Sequence, residues 1–352
     1  MRIHNPILAG LALLAGTAAV AAPAAPNDAY LAGYAAAVLE QRLGWQPGSY
    51  TLDVSEGRMR LDAREHDDAA AAQEALAAIG GVRKVRVASA SEPAGSTPGR
   101  WFPTTELFRP SLADPKEPRF FVSSRHYDTS TDTLWLAEVG YGANFPVYGR
   151  IDEAGNGWNV GISGGLFGLF NLEADSFDLI NADYTVGMPL TWRQGNTSGR
   201  LRLYHQSSHL GDEFLLNAAP ERVNLSFEAL EGLIAYDLTP FRIYGGGEVL
   251  LHREPADLDR LMAHAGIEYF SATATTLVPG LRGRPFAGLD LKSYAEHDWS
   301  IDRSLKVGMQ FDAPHSDHFL RLSIDGYRGY SPHGQFYDDR ISYLGLGVMF
   351  GI

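Results

Sequence analysis

Residues 200–208 read RLRLYHQSS, a strict alternation. Leu201, Leu203, His205 and Ser207 fall on one face of a strand, while Arg200, Arg202, Tyr204 and Gln206 fall on the other. In a water-soluble protein the first face would pack on a core. In an outer-membrane barrel it meets lipid, and the charged face lines the interior. A histidine and a serine would then stand on the greasy side of the wall.

The rest of the chain favours the barrel. From Arg119 onward, twelve segments have the length and patterning of strands: 119–127, 132–147, 157–170, 175–192, 198–209, 221–235, 240–253, 261–275, 285–297, 302–312, 317–329 and 339–350. Leu344, Leu346, Val348 and Phe350 alternate with Tyr343, Gly345, Gly347 and Met349. Leu320, Leu322 and Ile324 alternate with Arg321, Ser323 and Asp325, and a sandwich core would not tolerate such charges. The 38 glycines suit curved sheets, and the 16 tyrosines and 17 phenylalanines suit membrane interfaces. After the leader no run approaches the roughly 18 apolar residues of a spanning helix. The expectation for 118–352 is an all-β antiparallel transmembrane barrel of about 12 strands, in which closure leaves no free edge.

The amino end reads as a signal peptide over 1–21, with Arg2 and His4, an apolar stretch from Ile7 to Ala15, and Ala19-Val20-Ala21 as a cleavage pattern. Export to the outer membrane follows, with the next domain in the periplasm. Residues 28–43 predict a helix, with Asp28 as N-cap and Gly44 as stop. Tyr50–Val54 and Arg58–Asp62 predict strands around the Glu56-Gly57 turn, Asp67–Ala78 a helix, and Val82–Val87 a last strand. This order, closing on GGVRKVRV, resembles the BON domain, and the likeness implies a small α/β module over 28–90 that meets a periplasmic partner. Residues 91–117 read as a linker of small residues and prolines.

The absence of cysteine excludes thiolate chemistry and a disulfide-stapled fold. A formal net charge of −13 and no basic, aromatic-interleaved patch set nucleic acid aside. Gly245-Gly246-Gly247 lacks the spacing of a nucleotide loop and reads as relief for close packing.

Two residues one position apart on a strand lie roughly 6.6 Å apart at Cα, so the His205 imidazole can reach the Ser207 hydroxyl and act as its base. A third member must hold the tautomer. Glu231 is the expected acid, because it shares parity with Val223, Leu225 and Phe227. Glu228 is the alternate if a bulge shifts the register, and Asp212 or Glu213 could reach from the following loop. An oxyanion donor could come from the backbone near Ser208 or Gly211, or from calcium held by Asp212 and Glu213. Zinc between His205 and His209 is disfavoured, since four strand positions separate them by about 13 Å.

The stretch YHQSSHLGDE resembles the His-x-Ser-Asn-Gly active-site strand of outer membrane phospholipase A, and the related arrangement in the lipid A 3-O-deacylase barrel. The resemblance implies His205 as general base and Ser207 as nucleophile, facing outward to an acyl ester. Ser208 and His209 stand where those families have asparagine and glycine, and LGDEF does not match the phospholipase's arginine-rich calcium segment. The body also resembles an uncharacterised family of exported bacterial proteins with an RLYHQSSHLGDEF-like core.

Two functions remain open. One is an outer-membrane esterase or deacylase acting on phospholipid or lipid A, with membrane lipid or lipopolysaccharide as partner and a homodimer as a further possibility. The other is a noncatalytic structural or transport barrel, for which Arg200, Arg202, Glu248, Lys292 and Asp325 could line the lumen. Convergence of His205, Ser207 and a carboxylate on the outside wall distinguishes the first from the second.

Overall fold

The computed structural model describes residues 27–351, except 56, 64–65, 67, 90–97, 130–131, 153, 219, 221, 279–280 and 314–317. The expected signal peptide, Glu56 and most of the small-residue linker lie outside these. The chain forms two units, divided between 96 and 97.

In the first unit, α1 (Asp28–Arg42) precedes β1 (Thr51–Ser55) and β2 (Arg58–Ala63), then α2 (Ala69–Ala77) and β3 (Lys84–Ser89). β1 and β2 pair antiparallel and β2 and β3 parallel. Leu31, Ala35 and Leu39, each four residues apart, turn one face of α1 onto Met59, Leu61, Ala72 and Leu76. The cap of α1 is Asn27, whose side chain accepts from the Tyr30 N–H at 2.8 Å. Asp28, the residue expected there, instead accepts from the Gly57 N–H at 2.8 Å, at the turn where Gly57 takes φ +72°.

The second unit opens with β4 (Arg100–Trp101), which pairs with the end of β6. Next comes a segment without regular structure, then β5 (Phe120–Thr129), β6 (Thr133–Ile151), β7 (Gly157–Asn171), β8 (Leu179–Gln194) and β9 (Thr197–Leu210). After α3 (Asp212–Ala218) follow β10 (Ser226–Leu238), β11 (Phe241–Glu254), β12 (Leu261–Phe270) and the short β13 (Thr275–Val278). The chain ends with β14 (Leu281–Tyr294), β15 (Ile301–Asp312), β16 (Phe319–Tyr330) and β17 (Arg340–Gly351). Each barrel strand pairs antiparallel with its neighbours; β17 pairs with β5 and β12 with β14, closing a ring of twelve. Every one of the twelve expected segments coincides with a strand of this ring.

Side chains alternate as a membrane wall requires. Leu201, Leu203, Leu344 and Leu346 face out, while Arg125, Arg200, Arg242 and Asp325 are buried inside. Trp158, Trp192, Tyr236 and Phe241 face out at the end of short turns, and Trp135 toward the other end. At Gly246 an added Cβ would come within 1.9 Å of the Gly232 carbonyl oxygen, so this part of the triple glycine does serve close packing.

The two ends differ. At one, tight connections such as 194–197 and 238–241 join the strands, and the chain both enters and leaves the barrel. At the other lie the longer connections, including 210–226 with α3, and 330–340. They are called here the turn end and the loop end. Between them the lumen is filled. Residues 106–119, part of the stretch expected as linker, enter the barrel: Leu107, Phe108, Ser111, Leu112, Asp114 and Glu117 are all buried. Proline-rich irregular backbone survives there because the wall meets its polar groups, as where the Leu112 N–H donates to Glu268 at 2.6 Å.

Candidate active site

β9 and β10 are in a register that sets His205 opposite Glu228 and Ser207 opposite Ser226. The outward face of β10 is therefore Glu228, Leu230, Gly232, Ile234 and Tyr236. His205 and Glu228 share the outer wall near the loop end, and the His205 Nδ1 lies 2.8 Å from the Glu228 Oε1. On the other side Glu228 is opposite His252 of β11, with its Oε2 2.9 Å from the His252 Nδ1. One carboxylate thus holds two imidazoles, one on each oxygen. The His205 and Glu228 side chains are 40% and 42% exposed, so both can be reached from outside the barrel wall. With Nδ1–H donating to Glu228, the His205 Nε2 carries the lone pair. Ser207, two residues on, shares its face.

Glu231 is not part of this group. It is buried inside the barrel, where it accepts from Arg200 Nε at 2.8 Å and Arg202 at 2.6 Å. The expected pairing of 205 with 231 is off by three positions, and an odd shift exchanges the two faces of a strand. The apolar parity that suggested it is real but points inward. Leu225 is buried and Phe227 packs edge-on to Tyr204 inside the barrel, since the upper lumen holds its own apolar cluster around Tyr127, Leu136, Ile180 and Tyr343. The carboxylate weighed as the alternate, Glu228, is the one that meets His205, with no bulge between β9 and β10. A bulge in β11 at Leu251, which the pairing with β10 skips between Glu228 and Ala229, brings His252 into line. His252 was missed because that bulge breaks the parity of β11.

Ser208 points inward, its hydroxyl donating to Asn181 at 3.1 Å, and His209 faces out beside Tyr184. The backbone N–H groups expected as oxyanion donors are already committed, that of Ser208 to the Leu225 carbonyl and that of Gly211 to the Ile180 carbonyl. Asp212 and Glu213 form the exposed first turn of α3, in the loop after Ser207. Beneath the site, the 330–340 loop folds inward: the Gln335 side chain donates to the Ser208 carbonyl at 2.9 Å and its N–H to Asn181 at 3.3 Å. The strand end that carries Ser207 is thereby fixed from inside.

Most of the interior charges named above are paired. Arg200 binds Glu117 through two nitrogens at 2.6 and 3.0 Å as well as Glu231, Tyr204 donates to Glu248 at 2.5 Å, and Lys306 meets Asp325 at 3.1 Å. Among the described residues, the one cluster with metal-ligand geometry is Asp114, His264 and Asp290, deep in the lumen. There the Lys292 ammonium lies 2.8 Å from Asp114, and His264 Nε2 lies 2.6 Å from Asp290, so protein groups already occupy the carboxylates. A cavity of about 150 Å³ lies under the loop end and one of about 440 Å³ at the turn end, with residues 110–119 contributing to both linings.

A family model described as a protein of unknown function, DUF1207, matches residues 81–352. None of the curated proteins matches the chain. Among solved structures, outer membrane phospholipase A from Escherichia coli is 13% identical with a TM-score of 0.46, covering 70% of this chain and 94% of its own. The Salmonella typhi outer membrane phospholipase dimer with bound calcium is 14% identical with a TM-score of 0.45, over 68% of this chain and 93% of that one. The transport unit of the Escherichia coli autotransporter AIDA-I is 14% identical with a TM-score of 0.38, over 70% and 95%.

Proposed function

The chain belongs to the DUF1207 family, whose function is unknown. We propose that it is an outer-membrane lipid acyl hydrolase in which Ser207 is the nucleophile, His205 the general base and Glu228 the acid that orients it. The observation that carries this is the 2.8 Å contact between His205 Nδ1 and Glu228 on the lipid-facing side. A carboxylate there loses solvation, and holding an imidazole in one tautomer is the compensating role it can play.

In this reading, an acyl ester of phospholipid or lipid A approaches laterally from the membrane. Ser207 Oγ attacks the ester carbonyl while its proton passes to His205 Nε2, and Glu228 stabilises the imidazolium. The proton then goes to the departing alcohol oxygen. Water, deprotonated by the same histidine, releases the fatty acid and restores the serine. Calcium takes six to eight oxygens, more than the adjacent Asp212 and Glu213 on an exposed turn provide, so no step is routed through it. A second copy of the barrel beside this wall would enclose the ester and exclude water.

The filled lumen speaks against the transport reading, because residues 106–119 are bonded to the wall from several strands. The α/β unit belongs in the periplasm in this reading, and the BON likeness of its αββαβ order assigns it a periplasmic partner. The test is release of fatty acid from mixed phospholipid and lipopolysaccharide micelles by the refolded protein. Activity lost in Ser207→Ala supports the proposal; no release by the well-folded parent, or equal release by both, overturns it.

A further inference from the structure

On the part of the barrel away from His205, two arginines face out in direct opposition. Arg303 of β15 and Arg328 of β16 are Cα partners, both are exposed, and both lie two residues from the loop end of their strands. Like charges directly across an antiparallel pair repel. Among the described residues, neither guanidinium has an ion pair, hydrogen bond or ring contact. On the far side of Arg328 stands Ser342, and a carboxylate, Asp128, comes only one strand later.

Directly below, the wall has a notch. Gly326, two residues from Arg328 on the same face, would meet nothing within 4 Å if given a Cβ. Its partners on the two adjacent strands are Leu305 and Leu344, 48% and 64% exposed, which form the sides of the notch. A pair of uncompensated cations above an apolar groove has the chemistry of a phosphorylated amphiphile reversed.

The longer connections of such barrels face the cell exterior, and we infer that Arg303 and Arg328, near that end, bind the phosphate of a phosphorylated lipid of the outer leaflet, with its first acyl segment in the notch over Gly326. The phosphate removes the repulsion between the guanidinium groups and accepts from both, as phosphate oxygens do with arginine forks. The site is independent of the hydrolase reading and places the lipid as a bound neighbour rather than as substrate.

The test is native mass spectrometry of the full mature chain in detergent, titrated with bis-phosphorylated lipid A and with its dephosphorylated form. The parent is expected to retain the phosphorylated lipid preferentially. At roughly 1 kcal/mol for each arginine near an anionic headgroup, Arg303→Gln with Arg328→Gln should weaken retention about thirtyfold. The double lysine variant should keep most of it, and Gly326→Leu should weaken it by filling the notch. Equal retention by the parent and the double glutamine variant, or no preference for phosphate in the parent, overturns the inference. If the glutamine variant does not fold, the phosphate preference of the parent and its weakening in Gly326→Leu decide the matter.

Discussion

Glu228 stands opposite His205 on one strand and His252 on the other, and each carboxylate oxygen meets one Nδ1, at 2.8 and 2.9 Å. A carboxylate held from both sides cannot rotate away from His205 without giving up a contact. In the proposed reaction Glu228 is therefore the orienting acid and His252 the residue that positions it.

Replacing Glu228 with glutamine keeps the shape but removes the charge that stabilises the imidazolium. Hydrolysis should fall by on the order of 10³-fold to 10⁴-fold, as expected when the acid of such a triad is neutralised. His252→Gln should cost much less, because it only loosens the carboxylate. The measurement is initial rate of fatty-acid release at saturating micellar substrate. Equal losses in the two variants would place His252 in the chemistry itself, and no loss in Glu228→Gln would remove the acid from the reading.

The strands were legible where a segment carries its own alternation, as Leu320–Asp325 and Tyr343–Phe350 do, because that pattern does not depend on any neighbour. The site was legible only in part. His205 and Ser207 lie on one strand, so a single parity placed both on the outer face. The carboxylate that meets His205 lies across a hairpin whose loop contains α3, and pairing across it depends on a register that no local pattern fixes. Apolar residues at the start of β10 suggested the wrong face, since Leu225 and Phe227 cap the lumen rather than meet lipid. The inserted segment was hidden for a different reason: residues such as Asp114, Lys116 and Glu117 read as solvated, and only the facing charges of the wall explain their place inside the barrel.

That insertion depends on the contact of Glu117 with Arg200, both buried. Removing one partner leaves the other charged without compensation, which costs about 3–5 kcal/mol in buried pairs. Glu117→Ala should therefore lower the urea midpoint of the barrel in lipid vesicles and release the segment. The double variant Glu117→Ala with Arg200→Met should recover part of the loss. If single and double variants unfold at the same urea concentration as the parent, the pair does not hold the segment.

Gly334 gives a steric test of the inward loop. A Cβ there would lie 2.7 Å from the Ser208 side chain and 2.6 Å from Leu225. Gly334→Val should push the 330–340 loop off β9 and reduce hydrolysis through the strand end that carries Ser207, with the barrel intact by circular dichroism. Unchanged activity and unchanged protease resistance of the loop would show that the approach is not needed.

The same loop carries a pH dependence of definite sign. Burial holds the His333 imidazole well below its ordinary value near 6.5, with Lys116 and Arg125 adding to the effect and Asp183 opposing it. A histidine whose folded value is depressed contributes stability that is full above the ordinary value and is lost as pH falls toward the depressed one. His333 also contacts the Tyr127 hydroxyl through Nε2 at 3.3 Å, a contact that ties the loop to the inner wall. The loop should therefore stay closed at pH 8 and open progressively below about pH 6.5. Hydrogen exchange of residues 331–339 should rise as the pH is lowered, after correction for the intrinsic pH dependence of exchange, with strands β16 and β17 still protected. His333→Asn, which cannot titrate, should flatten that rise. If the variant shows the same pH dependence as the parent, the opening belongs to another group, of which Asp183 is the nearest carboxylate bonded to the loop, through the Gly334 N–H at 3.2 Å.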